Sequence, residues 1–497
     1  MARYYFLRII KSIISIFIVL AIVIAMVYNL IPENDIFKED MTYQKLIGNE
    51  RKNYELGTLM NLGYLDYVSL GQMCGLESKN SSECLKEGSE EQKKVIDIYK
   101  NKGYEVTQFD KPGKMQGQYY GVKRYGSFEL VVKYFTNMFS FDNPGKIQDP
   151  NNPKLDQNRG YYFGKDHNGV PALMCTGCEY KYQIYFDGKF PFIHNNIFKL
   201  NFGNSFPSSK GVPVLDVITE NQGSTVNKPK VYPSGYKSNG SENFHTLKYK
   251  YSLTKIDEKK YTDNYADAKL NFDAPSMVGT SYIFGVLSVI FAYAIAVPAG
   301  IAMARNKGKF IDKLGIIYIN ILIALPSLAF IYIMKYFGNM FNLPDKFPHL
   351  GAGNIKSYIL PLIILTIMST PGLMTWIRRY MIDQQSADYV KFAKAKGLSR
   401  KEISTRHILK NAIIPIVNGI PGSIILAISG AVITEAVFAI PGMGKMLPDA
   451  IKSKNNNMVI ALTFIFTTLS IISVLLGDIL MTLVDPRISL NAKKGDL

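Results

Sequence analysis

Long apolar runs alternate with polar segments along this chain, and six of the runs are long enough to cross a membrane. A helix rises about 1.5 Å per residue, so about 20 apolar residues span the roughly 30 Å hydrocarbon core of a bilayer. Prolines inside such runs are tolerated where neighbouring helices satisfy the freed backbone groups. The pattern predicts six transmembrane helices, at residues 12–31, 277–304, 314–336, 358–377, 413–438 and 458–484.

The first apolar run carries no charge and follows three basic residues, Arg3, Arg8 and Lys11. Basic residues favour the cytoplasmic side of a membrane, so they place the N-terminus inside. A cleaved signal peptide is the alternative interpretation. Because the run is longer than a usual signal core and no small-x-small cleavage site follows it before Pro32, we expect a retained helix.

A hydrophilic stretch separates the first two runs. Its alternating segments, such as KYQIYF at residues 181–186, are typical of strands, and about 240 residues can bury a core of their own. We therefore expect a mainly α membrane protein with a large inserted α+β domain. The predicted division is a first helix with a cytoplasmic N-terminus (1–32), an extracellular inserted domain (33–273), a five-helix core (274–490) containing a cytoplasmic loop (380–411), and a cytoplasmic tail (491–497).

The charge is distributed unevenly between these parts. Residues 33–275 hold 32 basic and 30 acidic side chains, whereas the other 254 residues hold 25 basic and 10 acidic ones. Of those 25 basic residues, 19 fall in segments that the six-helix topology places in the cytoplasm. Topology therefore explains the excess of positive charge, and nucleic-acid binding is excluded because no basic stripe interleaved with aromatics lies outside the membrane part.

Residues 389–415 form the most basic segment between two apolar runs. Asp388 is expected to cap a first short helix, and Gly397 suits the left-handed residue that ends it. Ser399 and Glu402 fit a capping box that starts a second short helix, in which Glu402 can pair with Arg406. An ordinary basic loop is the alternative. The segment has one acid, Glu402, and seven basic residues: Lys391, Lys394, Lys396, Arg400, Lys401, Arg406 and Lys410.

The runs AKAKGLS (393–399) and RHILKNA (406–412) resemble the E-A-A…G loop of bacterial ABC importer permeases, in particular their peptide-transporting branch. In that family the loop docks into a cleft of a partner ATPase. Lys391 stands where the general pattern has a glutamate, a departure common in the peptide branch. The resemblance implies ATPase coupling by Phe392, Ala393, Ala395, Lys396, Gly397, Leu398, Ser399, Arg400, Glu402, Arg406 and His407.

A second stretch, EAVFAIPGMG at residues 435–444, resembles the same family's E-x-x-F-x-x-P-G-x-G signature. It makes Glu435, Pro441, Gly442 and Gly444 candidates for an intramembrane or gating role, with a tight structural turn as the alternative. Asp478 joins them because an acid inside an apolar run is a functional candidate. Snorkelling or a helix–helix hydrogen bond would explain Asp478 equally well.

The inserted domain also resembles a branch of this family. Residues 200–218 are similar to the stretch that precedes the second span, and residues 146–155 and 190–203 resemble the insertion of Gram-positive oligopeptide permeases of the Ami/Opp type. This implies a permease for oligopeptides that forms half of a translocation pathway. Implied partners are a homologous permease, two ATPases, an extracellular lipid-anchored peptide-binding protein, the peptide and membrane lipid. A dipeptide, a pheromone peptide, nickel, or a surface receptor or scaffold role are the alternatives.

No catalytic constellation stands out in the sequence. The nearest match to a phosphate-binding loop, PGMGKM at 441–446, has Ala439 and Met446 where Gly and Ser or Thr are needed. We therefore expect no enzyme activity and no cofactor in this chain, with ATP and Mg²⁺ bound by the partner ATPases.

All four cysteines lie in the inserted domain, where an extracellular location favours disulfides. Zinc is the alternative for the C-x-x-C of Cys175 and Cys178, but Cys74 and Cys84 lack that spacing. The five histidines are scattered without ligand spacing, so no metal site is expected. They are His167, His194, His245, His349 and His407.

Overall fold

The computed structural model describes residues 2–78, 80–146, 155, 157–187, 192–352 and 354–484. The predicted tail (491–497) and the last six residues of the predicted core (485–490) lie outside the described residues. Within them the chain consists of long apolar helices and one inserted α+β domain. The predicted boundary at residue 273 lies three residues before Ser276, which caps the helix that follows the domain.

The first half of the inserted domain packs short helices against a three-stranded antiparallel sheet of order β1–β3–β2, with Tyr67 opposite Val122. A disulfide joins Cys74 to Cys84 within this half. The long helix α1 (Ala2–Leu30) precedes the domain. The elements of this half are α2 (Glu33–Ile36), α3 (Met41–Lys45), α4 (Gly48–Asn61), β1 (Leu65–Ser69), α5 (Leu70–Glu77), α6 (Ser81–Cys84), α7 (Glu90–Asn101), β2 (Glu105–Gln108), β3 (Tyr119–Arg124) and α8 (Ser127–Met138).

The second half is built from antiparallel strands around an aromatic core. Among the described residues, this half contains a four-stranded sheet of the order β5–β6–β7–β8 and three two-stranded pairs, β4–β9, β10–β11 and β12–β13. The second disulfide joins Cys175 to Cys178. The elements are β4 (Phe139–Phe141), β5 (Gly160–Lys165), β6 (Pro171–Thr176), β7 (Tyr182–Phe186), β8 (Ile193–Asn195), β9 (Phe198–Leu200), α9 (Val214–Thr219), β10 (Lys228–Val231), β11 (Lys237–Gly240), β12 (Glu242–Tyr249), α10 (Lys255–Lys260) and β13 (Tyr265–Leu270).

The described residues that follow the inserted domain are mainly helical. Among the described residues, five helices are long and apolar enough to cross a membrane: those that begin at residues 6, 277, 356, 400 and 456. The elements are α11 (Met277–Arg305), α12 (Phe310–Ala324), α13 (Ser327–Met340), α14 (Lys356–Gln385), α15 (Asp388–Ala395), α16 (Arg400–Glu402) with a π-helical continuation (Ile403–Ile408), α17 (Leu409–Gly430), α18 (Val432–Phe438), α19 (Met443–Lys452) and α20 (Asn456–Val484).

The third apolar run differs from the predicted single helix. It is divided into α12 and α13, which meet at an angle of 107°. Leu325 is extended (φ −75°, ψ 126°), as the residue before a proline prefers to be, and Pro326 stands at the start of α13. Proline does not always have this effect, since Pro298 lies inside the unbroken helix α11. The third apolar run is therefore a bent pair of helices. It is long and apolar enough to be a sixth span only when its two helices are taken together.

One hydrophobic core joins the inserted domain to the long helices. Met138, Phe202 and Val214 of the domain are buried together with Leu20 of α1 and Met458 of α20. Burying an apolar side chain of this size stabilises a protein by about 1.5–3 kcal/mol. The inserted domain therefore packs directly against the long helices and is not connected to them only through its two chain ends.

Candidate functional site

The basic segment folds as a helix–turn–helix, here called the knuckle (residues 388–411). Gly397 has a left-handed backbone (φ +77°), and the N–H groups of Gly397 and Leu398 bond to the carbonyls of Lys394 and Ala393, the pattern of a Schellman motif. Ser399 and Glu402 form the capping box that the sequence predicts. The turn is therefore specified by local chemistry.

Two local predictions are wrong. Ala387, not Asp388, is the N-cap residue of α15, and the Asp388 carboxylate pairs with Lys391 at 2.8 Å instead. Glu402 makes no direct ion pair with Arg406 among the described residues. Its carboxylate accepts hydrogen bonds from the N–H and Oγ of Ser399, at 3.0 and 2.7 Å. Residues four apart also do not align along the π-helical turn that begins at Ile403.

The second helix of the knuckle is not short. α16, its π-helical continuation and α17 run without a break into the fifth apolar run. At the other side only Ser386 and Ala387 separate α14 from α15. The knuckle is therefore joined almost directly to α14 and α17. A displacement of the knuckle moves the adjoining ends of these two helices.

The knuckle has one buried and one exposed face. Val390, Ala393, Ile403 and Ile408 pack into a core with the ends of α11, α14 and α17. Phe392 is 70% exposed on the opposite face. Ala395, Lys396, Gly397, Ser399 and all seven basic side chains are also exposed, whereas Leu398, Glu402 and His407 are half-buried. An exposed aromatic ring surrounded by positive charge is a surface suited to a protein partner.

A buried ion pair ties the base of this assembly together. Arg378 of α14 donates two hydrogen bonds to Asp312 of α12, at 2.6 and 2.8 Å, and Asp312 is almost fully buried. Gln385 also donates to the carbonyl of Ala304 at the end of α11 (3.1 Å). In sequence, Arg378 was visible only as a basic residue that follows an apolar run. The Arg378–Asp312 ion pair and the hydrogen bond from Gln385 to Ala304 connect α11, α12 and α14 at the end that carries the knuckle.

The second signature is organised by Glu435. Its buried carboxyl group accepts a hydrogen bond from Ser281 Oγ of α11 (2.7 Å) and another from the N–H of Lys445 (2.8 Å). Ser281 Oγ in turn accepts the N–H of Met443 (2.7 Å). The glutamate thus fastens the turn between α18 and α19 to α11.

The glycines of this signature make room for that carboxyl group. A Cβ atom on Gly442 would lie 2.2 Å from Glu435 Oε1, and one on Gly444 would lie 3.1 Å from Oε2. Pro441 lies between the helices, at half-buried depth. These contacts explain the spacing of the signature as a packed turn.

Asp478 lies on α20 and forms an ion pair with Arg8 of α1. Both side chains are half-buried. This ion pair joins the first and last long helices, and a functional role for Asp478 stays a prediction.

Sequence reasoning missed a junction between the start of α20 and the inserted domain. Asn455 donates from Nδ2 to Ser205 Oγ at 2.7 Å, and Asn457 donates to the carbonyl of Asn204 at 2.9 Å. Asn456 donates to the hydroxyl of Tyr64. Three successive asparagines before an apolar run were the available signal.

An apolar groove of about 760 Å³ runs between α11 and α14. Phe291 and Leu287 line one wall, Tyr358 and Leu362 the other. Neither the disulfides nor the histidines of the inserted domain line it. The groove offers an apolar surface on α14, which leads into the knuckle, and on the neighbouring helix α11.

Comparison with known proteins finds relatives of this chain among transport proteins. Residues 296–490 match the family model described as "Binding-protein-dependent transport system inner membrane component". The oligopeptide transport system permease protein AmiC of Streptococcus pneumoniae is 42% identical over 100% of both chains. The dipeptide transport system permease protein DppB of Lactococcus lactis is 30% identical over 54% of this chain and 90% of its own. The oligopeptide transport system permease protein OppB of Haemophilus influenzae is 26% identical over 54% of this chain and 89% of its own.

Proposed function

Because this chain belongs to the family of oligopeptide transport permeases, we propose that it forms one half of the translocation pathway of an ATP-driven importer and is moved by ATPases that bind the knuckle. It is a membrane permease of a peptide ABC importer, and its family is one of transporters rather than catalytic enzymes. ATP and Mg²⁺ belong to the partner ATPases.

The observation that carries the proposal is the knuckle's double connection. An ATPase that binds the exposed face around Phe392 displaces α14 through the two linking residues and α17 through a continuous helix. The Asp312–Arg378 pair transmits the same displacement to α12. ATP-driven closure of the ATPases thereby tilts several helices as one rigid body and switches the exposure of the pathway.

The proposed topology has six crossings, with the bent pair α12–α13 as the third and both termini in the cytoplasm. Arg8, near the start of α1, pairs with Asp478, near the end of α20, so these two ends lie on one side. The opposite end of α20 bonds to the inserted domain, which supports an extracellular location for that domain. A cysteine at Lys454 should react with an impermeant thiol reagent from outside. Labelling only from inside would overturn this topology.

The groove between α11 and α14 is the proposed face toward a homologous second permease and the peptide path. It is long, apolar and nearly free of charge, which suits a surface shared with another helix bundle or with varied side chains. The complete importer would contain two permeases, two ATPases and a lipid-anchored peptide-binding protein.

The inserted domain is proposed to receive the peptide-binding protein. Its edge strand β5 carries adjacent exposed aromatics, with Phe163 88% exposed. Phe163→Ser should lower peptide uptake while ATPase binding stays unchanged. Tyr251→Ser, at a position 72% exposed outside the strands of this sheet, is the matched control. Equal uptake by Phe163→Ser and wild type would refute this role.

Purification of the native complex tests the function directly. The importer assignment predicts that two ATPases and a second permease accompany this chain, and that reconstituted vesicles take up a labelled oligopeptide when ATP is supplied. A receptor or scaffold predicts neither. Competition by dipeptides, pheromone peptides or nickel in the same assay identifies the substrate class.

A further inference from the structure

Two neighbouring polar residues, Asp166 and His167, meet a third from a distant part of the chain, His245, in the inserted domain. Asp166 begins the turn between β5 and β6, and His245 lies on β12. Asp166 Oδ2 and His245 Nε2 are 2.7 Å apart, and these side chains are only 1% and 5% exposed. His167, next to Asp166, places its ring centroid 4.9 Å from that of His245.

We propose that Asp166, His167 and His245 bind a divalent transition-metal ion of the kind that prefers imidazole ligands, such as Zn²⁺. Ligand atoms of all three residues lie within 4.8 Å of one another. One carboxylate oxygen and two imidazole nitrogens form a donor set that suits zinc, and a fourth position remains for water. The proposal is independent of transport and revises the expectation that no histidine has a ligand partner.

The surroundings hold two of these ligands in place. Asp166 Oδ1 accepts the N–H groups of Asn168 and Val170, at 2.8 and 2.9 Å. The ring of Tyr185 stacks on His245 with centroids 4.3 Å apart and an interplanar angle of 14°. Such contacts with residues behind the ligands orient metal sites and restrict their motion.

The third ligand has the freedom to close the site. His167 is exposed, and its ring contacts Phe244 edge-on, at 4.6 Å between ring centroids, as well as His245. In a tetrahedral zinc site with bonds of about 2.0–2.1 Å, neighbouring ligand atoms lie about 3.3–3.4 Å apart. This geometry requires an inward rotation of the His167 ring and a lengthening of the 2.7 Å Asp166–His245 contact.

A purely structural Asp166–His245 hydrogen bond is the competing explanation, and His167 separates the two. The experiment uses the full-length chain in detergent, purified without a polyhistidine tag and stripped with a chelator. Zn²⁺ binding is measured by equilibrium dialysis, and Co²⁺ serves as a spectroscopic probe of tetrahedral coordination. We expect one ion per chain, and binding at least about tenfold weaker in His167→Ala.

His194→Ala is the matched control, because His194 also stacks on Tyr185, with ring centroids 5.1 Å apart, but is not a proposed ligand. It should bind Zn²⁺ like wild type. The chelator-treated His167→Ala protein should also unfold at the wild-type temperature, since its ring is exposed. Absence of stoichiometric binding, equal binding by His167→Ala and wild type, or equal losses in both variants would overturn the proposal.

Discussion

Replacing Gly442 by alanine tests the packing of the second signature. The new Cβ would stand 2.2 Å from Oε1 and 2.3 Å from Cδ of Glu435, closer than such atoms approach in proteins. Gly442 has an ordinary extended backbone (φ −118°, ψ 161°), so backbone strain does not contribute. Relief of the contact therefore requires Glu435 to move.

Glu435 cannot move without cost, because Ser281 and Lys445 hold its buried carboxyl group. Leaving a buried hydrogen-bonding group unsatisfied costs about 1–3 kcal/mol, and two bonds are at risk, so we expect destabilisation by about 2–6 kcal/mol. Because the entropy of unfolding of a chain of this length is about 1 kcal/mol/K, the melting temperature in detergent should fall by about 2–6 °C. Peptide uptake should fall with it because the turn is no longer fastened to α11.

Two comparisons make this prediction specific. Gly422→Ala, on α17 with nothing within 4 Å of its Cβ position, should melt like wild type. In a Glu435→Ala background the contact is absent, so Gly442→Ala should add less than about 0.5 kcal/mol. Unchanged melting of Gly442→Ala, or fully additive losses in the double variant, would refute the reasoning.

Two further predictions concern the contacts around the knuckle and the inserted domain. Arg378→Ala leaves the buried carboxylate of Asp312 unpaired, which costs about 3–5 kcal/mol of stability. Immunoblots should therefore show much less of this variant in the membrane than of Arg379→Ala, which changes the exposed neighbouring residue. Equal amounts of the two variants would contradict this prediction. Asn455→Asp retains the oxygen acceptor that caps α20 but loses the N–H donor to Ser205. Trypsin should therefore cleave the inserted domain of this variant faster than that of wild type, while the helix content is unchanged. Equal cleavage rates for the variant and wild type would argue against the junction.

Local chemistry made much of the fold predictable. The apolar runs predicted five of the long helices, and at most helix ends the predicted and observed residues differ by only a few positions. The left-handed Gly397 and the capping box of Ser399 were recognisable because each depends on neighbours in sequence. Asp388 failed as a cap because α14 extends to Gln385 and leaves only two linking residues. Helix boundaries of this kind depend on packing between elements.

Contacts between distant residues were not predictable from one sequence. Ser281 and Glu435 are 154 residues apart, and Arg8 and Asp478 are farther still. Periodicity reveals which residues face a core but not which partner they meet there. Pro326 illustrates the same limit, since it begins a new helix while other prolines remain inside theirs.

The most direct test of the knuckle as the coupling element is Gly397→Val in the reconstituted importer, with ATP hydrolysis and peptide uptake measured together. A Cβ at Gly397 meets nothing within 4 Å, so the effect comes from the left-handed backbone, at about 1–2 kcal/mol. Gly397→Asn, which tolerates this conformation, is the control. We predict lost or uncoupled uptake for Gly397→Val with normal amounts in the membrane; normal uptake coupled to hydrolysis would contradict the account.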